Sequence, residues 1–133
     1  MQAALVAYLK TVSAVTTLVG SSPSRIRPFE RFQGEALPAL TYFLVDSQVD
    51  AAWSGTFDLT RSRVQVDCWG GNEDDSISLL SAVRGATDGF RGTFASTPIR
   101  GCRIAEIRSG FERSSDANTK WFRQSLDWIV WHE

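Results

Sequence analysis

Nucleophilic chemistry at a serine, threonine or cysteine needs a base held within reach, and this chain has a single histidine, His132, beside its final residue. An imidazole at a chain terminus is poorly held for proton transfer, so His132 reads as a surface side chain and a Ser/His or Cys/His mechanism is not expected. Cys68 and Cys102 fall in separate strand-like segments with no CxxC or Cys/His spacing. They read as reduced, buried thiols, and one histidine with two separated cysteines cannot supply the usual zinc ligands. The densest acidic stretch, Asn72-Glu-Asp-Asp75, lacks the alternating ligands and later bidentate Glu of an EF-hand loop and reads instead as the start of a helix. Neither Gly70-Gly71 nor the Gly85 to Gly92 region forms a phosphate-cradling loop. Asp67, Asp127 and Glu106 are the carboxylates a small hydrolase would use, and their positions in the sequence do not show that they meet. Pairing with Arg63 and Arg123 across strands, or contacts between subunits, accounts for these charges more simply. No catalytic, cofactor or metal site is therefore expected.

The elements that would position these groups follow from hydrophobic periodicity. Leu5, Tyr8 or Leu9, Val12, Val15 and Val19 trace one face of an N-terminal helix over 2–19, with a break near Ser13 where β-branched residues crowd and Ser13 caps a second short helix. Residues 21–38 carry three prolines and no period, predicting an extended connection. Leu40–Asp46 and Leu59–Trp69 read as strands of a long antiparallel hairpin; in the second, Val64, Val66 and Cys68 alternate with Arg63, Gln65 and Asp67. Asn72 and three acids open a central helix whose Ile77, Leu80 and Val83 repeat at helical spacing, ending by Gly89. A short piece around 90–94 leads into a strand over Ile99–Ile107, then a loop from Arg108 to Lys120, then a C-terminal strand in which Phe122, Leu126, Trp128 and Val130 alternate with Arg123, Ser125 and Asp127. The class is α+β: one domain over 1–133, with a mostly antiparallel sheet packed against an N-terminal and a central helix.

Arginine and lysine nearly cancel aspartate and glutamate, leaving a formal charge of −1, so a strong electrostatic grip on nucleic acid is not favoured. No apolar run reaches the ~20 residues of a membrane span, and the N-terminus does not resemble a signal peptide, so synthesis in the cytoplasm is expected. Five tryptophans are the conspicuous feature. Trp128 lies on the core phase of its strand, whereas Trp121 and Trp131 share the opposite phase with Arg123 and Asp127. Trp53 and Phe57 flank the turn of the hairpin. Three candidate interaction surfaces result: a docking arm at Trp53 and Phe57; a segment bearing Arg108, Arg113 and Lys120 that orders on contact, with Trp121 and Trp131 nearby; and a subunit seam of Arg63, Asp67, Arg123 and Asp127.

Several short motifs follow in order: Leu18-Val19-Gly20, Arg25-Ile26-Arg27-Pro28, Leu37-Pro38-Ala39-Leu40-Thr41-Tyr42, Arg63-Val64-Gln65-Val66-Asp67-Cys68-Trp69, Val83-Arg84 and Gly89-Phe90-Arg91-Gly92. The series closes on Phe122-Arg123-Gln124-Ser125-Leu126-Asp127-Trp128-Ile129-Val130-Trp131-His132, and so covers nearly the whole chain. In order and spacing it resembles the phage tail-terminator or tail-completion proteins of the DUF3168 type. The bulky, charged Arg27-Pro28-Phe29-Glu30-Arg31-Phe32 stretch departs from the family pattern.

That resemblance implies a structural virion protein of a long-tailed phage or a phage-like particle such as a gene transfer agent, with no catalytic residues to carry over. It further implies a homo-hexameric ring on the last ring of the tail tube, meeting a neck or head-completion protein above, with double-stranded DNA passing through the lumen. The implied partners are thus other copies, the tail tube protein and the neck protein, with no membrane. A neck or head-closure protein on the portal side is the alternative reading.

Overall fold

The computed structural model describes residues 1–20, 24–30, 36–51, 58–113 and 120–132. Among them the fold is mixed: three helices and a six-stranded curled sheet, mostly strand.

The N-terminal helical region divides as its β-branched content predicts. Helix α1 spans Gln2–Leu9 and α2 spans Ser13–Val19, with their axes bent by 86°. Ser13 is not the cap: Val12 holds the extended N-cap conformation and makes no side-chain cap bond. Ser13 is already helical, and its carbonyl accepts from Thr17 Oγ1 at 2.7 Å. Leu5, Leu9, Val15 and Val19 are wholly buried, so both short helices gain their stability from packing rather than length. No single helix among the described residues is long and apolar enough to cross a membrane.

The connection predicted over 21–38 contains a strand. Ile26–Pro28 forms β1, parallel to the start of β2 (Ala39–Ala51) in the register Ile26↔Leu40 to Pro28↔Tyr42. Arg25 fastens this entry, its Nε donating to Pro38 O and its Nη2 to Leu18 O, both at 2.8 Å. Strand β2 pairs antiparallel with β3 (Asp58–Gly70) from Ala39↔Trp69 to Ala51↔Asp58, with a bulge between Leu44 and Asp46; the connection between them lies outside the described residues. Strand β2 runs well past its predicted end because residues 46–49 beyond the bulge are exposed on both faces, whereas the β3 residues opposite them are half-buried and Ser62 is buried.

Helix α3 spans Glu73–Thr87. Asn72 Oδ1 accepts from Asp75 N at 2.8 Å, and Glu73, Asp74 and Asp75 fill the first turn, where the helix dipole favours negative charge. Its buried face is Ser76, Leu79, Leu80, Val83 and Thr87. Ile77, expected on that face, is 43 % exposed, because it sits one position out of the phase that Leu79 and Val83 set. After Gly89, whose φ of 81° suits glycine, β4 (Gly92–Phe94) pairs with the start of β5 (Thr97–Arg113).

Strand β5 overturns the predicted loop at Arg108. Residues Arg108–Arg113 continue the ladder with β6 (Lys120–His132) out to Arg113↔Lys120; residues 114–119 lie outside the description. The segment is a strand without a core face of its own, and its serine and glycine content hid it. The sheet order is β1-β2-β3-β6-β5-β4, and Val64, Val66, Cys68, Leu126, Trp128 and Val130 pack from its inner strands against α1, α2 and α3. Trp128 is fully buried, its indole N–H donating to Thr87 Oγ1 at 2.9 Å, and Thr87 in turn donates to Val83 O at 2.7 Å.

Candidate functional site: the charged face of the sheet

The strand face turned away from the helices gathers the candidate seam residues. Register places Arg63, Gln65, Asp67 and Trp69 of β3 beside Ile129, Asp127, Ser125 and Arg123 of β6, and Glu106, Arg108 and Gly110 of β5 follow next. Asp127 is only 3 % exposed, yet it is well compensated. Arg63 Nε donates to its Oδ2 at 2.8 Å, and Arg108 Nη2 to its Oδ1 at 2.9 Å. Both arginines also reach Glu106 Oε2 at 2.9 Å, closing a four-residue network. Burial pushes the Asp127 carboxyl up, but the hydrogen bonds and charges of Arg108 and Arg63 outweigh it and hold the group below the ordinary carboxylate value. The Asp127 hydrogen bonds in turn raise both guanidinium groups above theirs.

Asp67, 6 % exposed, is held differently. Ser125 Oγ donates to its Oδ1 at 2.5 Å and Gln65 Nε2 at 3.0 Å. Arg123 lies over the Trp69 ring at 5.6 Å and pairs with Glu112 at 3.5 Å, while Trp69 Nε1 donates to Thr41 Oγ1 at 3.0 Å. All four seam residues thus share one face, but the two carboxylates are satisfied within the chain and only the arginine ends reach solvent.

The candidate partner interface is dispersed. Arg108 belongs to the Asp127 network, whereas Arg113 and Lys120 are exposed at the far end of β5 and β6, each 5.8 Å from the Phe111 ring. Trp121 and Trp131 are half-buried at opposite ends of β6, on the charged face as their phase predicts, with Arg103 over Trp131 at 5.8 Å. Trp53 and Phe57 lie outside the described residues.

Sequence reasoning misjudged His132. It is held in β6 opposite Thr60 and Ile99, and its Nε2 lies 2.8 Å from Ser62 Oγ, which in turn lies 2.8 Å from Ser47 Oγ. Ser62 is 1 % exposed, so its hydroxyl is closed to any substrate of size and the chain of three polar groups fastens strands rather than opening a reactive centre. The in-phase alternation of His132 with Val130 and Trp128 was the available signal. Cys68 and Cys102 are free and buried, and burial pushes both thiols up, Cys102 to about 12. Among the described residues no three His, Cys, Asp or Glu side chains gather as a metal set.

The family model for tail completion protein gp17 matches residues 3–133. The chain belongs to that family. As a tail-completion family member it is a structural component of a phage-like tail, situated in the tail or neck region of the virion. It also shares its fold with a chain of the solved structure "Virion of native gene transfer agent (GTA) particle": identity is 16 %, the TM-score is 0.66, and the match covers 98 % of this chain and 94 % of that one. No curated protein sequence matches.

Proposed function

We propose that the protein caps the tail tube as a homo-hexameric ring and joins it to the neck, with double-stranded DNA crossing the lumen during ejection and no reaction catalysed. The observation that carries this reading is the family match over residues 3–133. The near-neutral charge of −1 agrees with it, because a channel that gripped phosphates would retard the DNA it must release. The arginine ends of Arg63 and Arg123 and the exposed Arg113 and Lys120 are the proposed contact groups; Asp127 holds Arg63 in place, and Glu112 and the Trp69 ring hold Arg123. Trp121, Trp131, Trp53 and Phe57 complete the proposed contact set.

Pull-down of the purified chain against tail tube protein and against head connector protein tests the placement. Capture by the tube, with the neck protein joining only when both are present, is the expected result. Capture by the connector alone would move the protein to the portal side as a head-closure component.

A further inference from the structure

Two stretches of strand edge carry no partner among the described residues. On one side β1 covers β2 only as far as Tyr42, whose carbonyl accepts from Phe29 N at 2.8 Å. Positions 43–51 of β2 are open beyond it. On the other side β4 covers β5 over 97–99, Gly89 N bonds Cys102 O at 2.8 Å, and Asp88 Oδ1 accepts from Ile104 N at 3.3 Å. Positions 105–113 are open after that. Open edges of this length template further pairing unless something covers them.

The two edges match each other. On the helix side, successive register positions of β2 carry Leu44, Ser47 and Val49, the bulge having removed Val45 from the count. On the same side β5 carries Ile107, Ser109 and Phe111. Each edge reads apolar, serine, apolar, and all four apolar side chains stand 40 % or more exposed: Leu44 40 %, Val49 66 %, Ile107 41 % and Phe111 55 %. The strands run in opposite senses within the sheet, so copies arranged head to tail would bring them together antiparallel. With Ser47 opposite Ser109, Val49 meets Ile107 and Leu44 meets Phe111, and the paired stretch runs from Phe43 at Glu112 to Asp50 at Glu106, next to the β5 bulge residue Ala105. On the charged side Asp46 then falls opposite Gly110, over which Arg123 lies so closely that a Cβ there would come within 3.0 Å of its Nη2. An acid of one copy thus meets a guanidinium of the next.

We infer that neighbouring copies join by antiparallel pairing of the outer edge of β2 with the outer edge of β5 in this register, each copy stepped along the strands relative to the last. This rests on the ring reading above and names its seam. Directly opposed antiparallel residues have Cα atoms about 4.5–5.5 Å apart, within the reach of a disulfide.

The test is oxidation of the S47C/S109C double variant on tail tubes, read on a non-reducing gel, with V49C/I107C as a second pair and S47C/F111C as a pair out of register. Most of the protein should shift into covalent multimers for both in-register pairs, at least tenfold more than for the out-of-register pair or for either single variant. Rings visible by electron microscopy without cross-linking would overturn the edge seam while leaving the ring intact. Multimers from S47C alone would replace the head-to-tail contact with a two-fold one. A chain that stays monomeric on tubes would overturn seam and ring together.

Discussion

Arg108 Nη2 reaches across from β5 to donate to Asp127 Oδ1 of β6 at 2.9 Å, and Arg63 of β3 holds the other oxygen of the same carboxylate. One buried acid therefore ties three adjacent strands together on the face opposite the helices.

The folded-state pKa of Asp127 lies below its ordinary value, so its ionic contribution is present above the unfolded carboxyl pKa of about 3.9 and is lost as pH falls through the lower folded value. Thermal unfolding followed between pH 6 and pH 2 should show the wild-type midpoint falling in that acid window. D127N should unfold at lower temperature at pH 6, because the two guanidinium groups are then left with only the half-exposed Glu106 as counter-charge, and its midpoint should change less between pH 4 and pH 2.

Thr87 and Trp128 test the helix-to-sheet contact. T87V removes the acceptor of a fully buried indole N–H, which costs about 1–3 kcal/mol when the donor is left unmatched. Urea unfolding should show that loss in wild-type background and a much smaller effect of T87V when Trp128 is already Phe.

Phe29 sits at φ 65°, a left-handed conformation that side chains disfavour, while its ring is 74 % exposed and stacks on Phe43 with centroids 6.3 Å apart. F29G should leave the isolated chain as stable or stabilise it by up to about 1 kcal/mol as backbone strain is relieved. The same variant should weaken binding to tail tubes if the displayed ring serves a contact. Urea unfolding and tube co-sedimentation read the two effects separately.

Both cysteines should resist a thiol reagent at pH 8 in the folded chain, since burial disfavours the thiolate at each. Labelling in buffer and in guanidinium, counted by mass spectrometry, should give no adduct and two adducts. Rapid labelling of Cys102 in buffer would contradict its burial.

The inner strands β3 and β6 were legible in the sequence because one of their faces is apolar: Val64, Val66 and Cys68, with Leu126, Trp128 and Val130, repeat every second residue. The Asn72 cap was legible for the same local reason. What lies at the margins was not. Strand β1 is three residues long, and Arg108–Arg113 has no core to write an alternation into it, so both looked like loop. The charged face could be foreseen as a set of positions, Arg63, Asp67, Arg123 and Asp127, but which charges pair depends on register. Arg108, read as part of a contact loop, is the residue that completes the Asp127 network, and Glu106 joins it only because a bulge at Ile104 turns it onto that face. His132 reads as a loose surface imidazole; its bond to the buried Ser62 depends on the β3–β6 register, which the sequence does not display.

Electron microscopy of tail tubes assembled with a gold-labelled copy of this chain bears most directly on its place in the particle. The proposed function predicts label as a six-fold ring at one end of the tube, between tube and neck. Label along the tube, at the portal side only, or on single unassembled copies would contradict it.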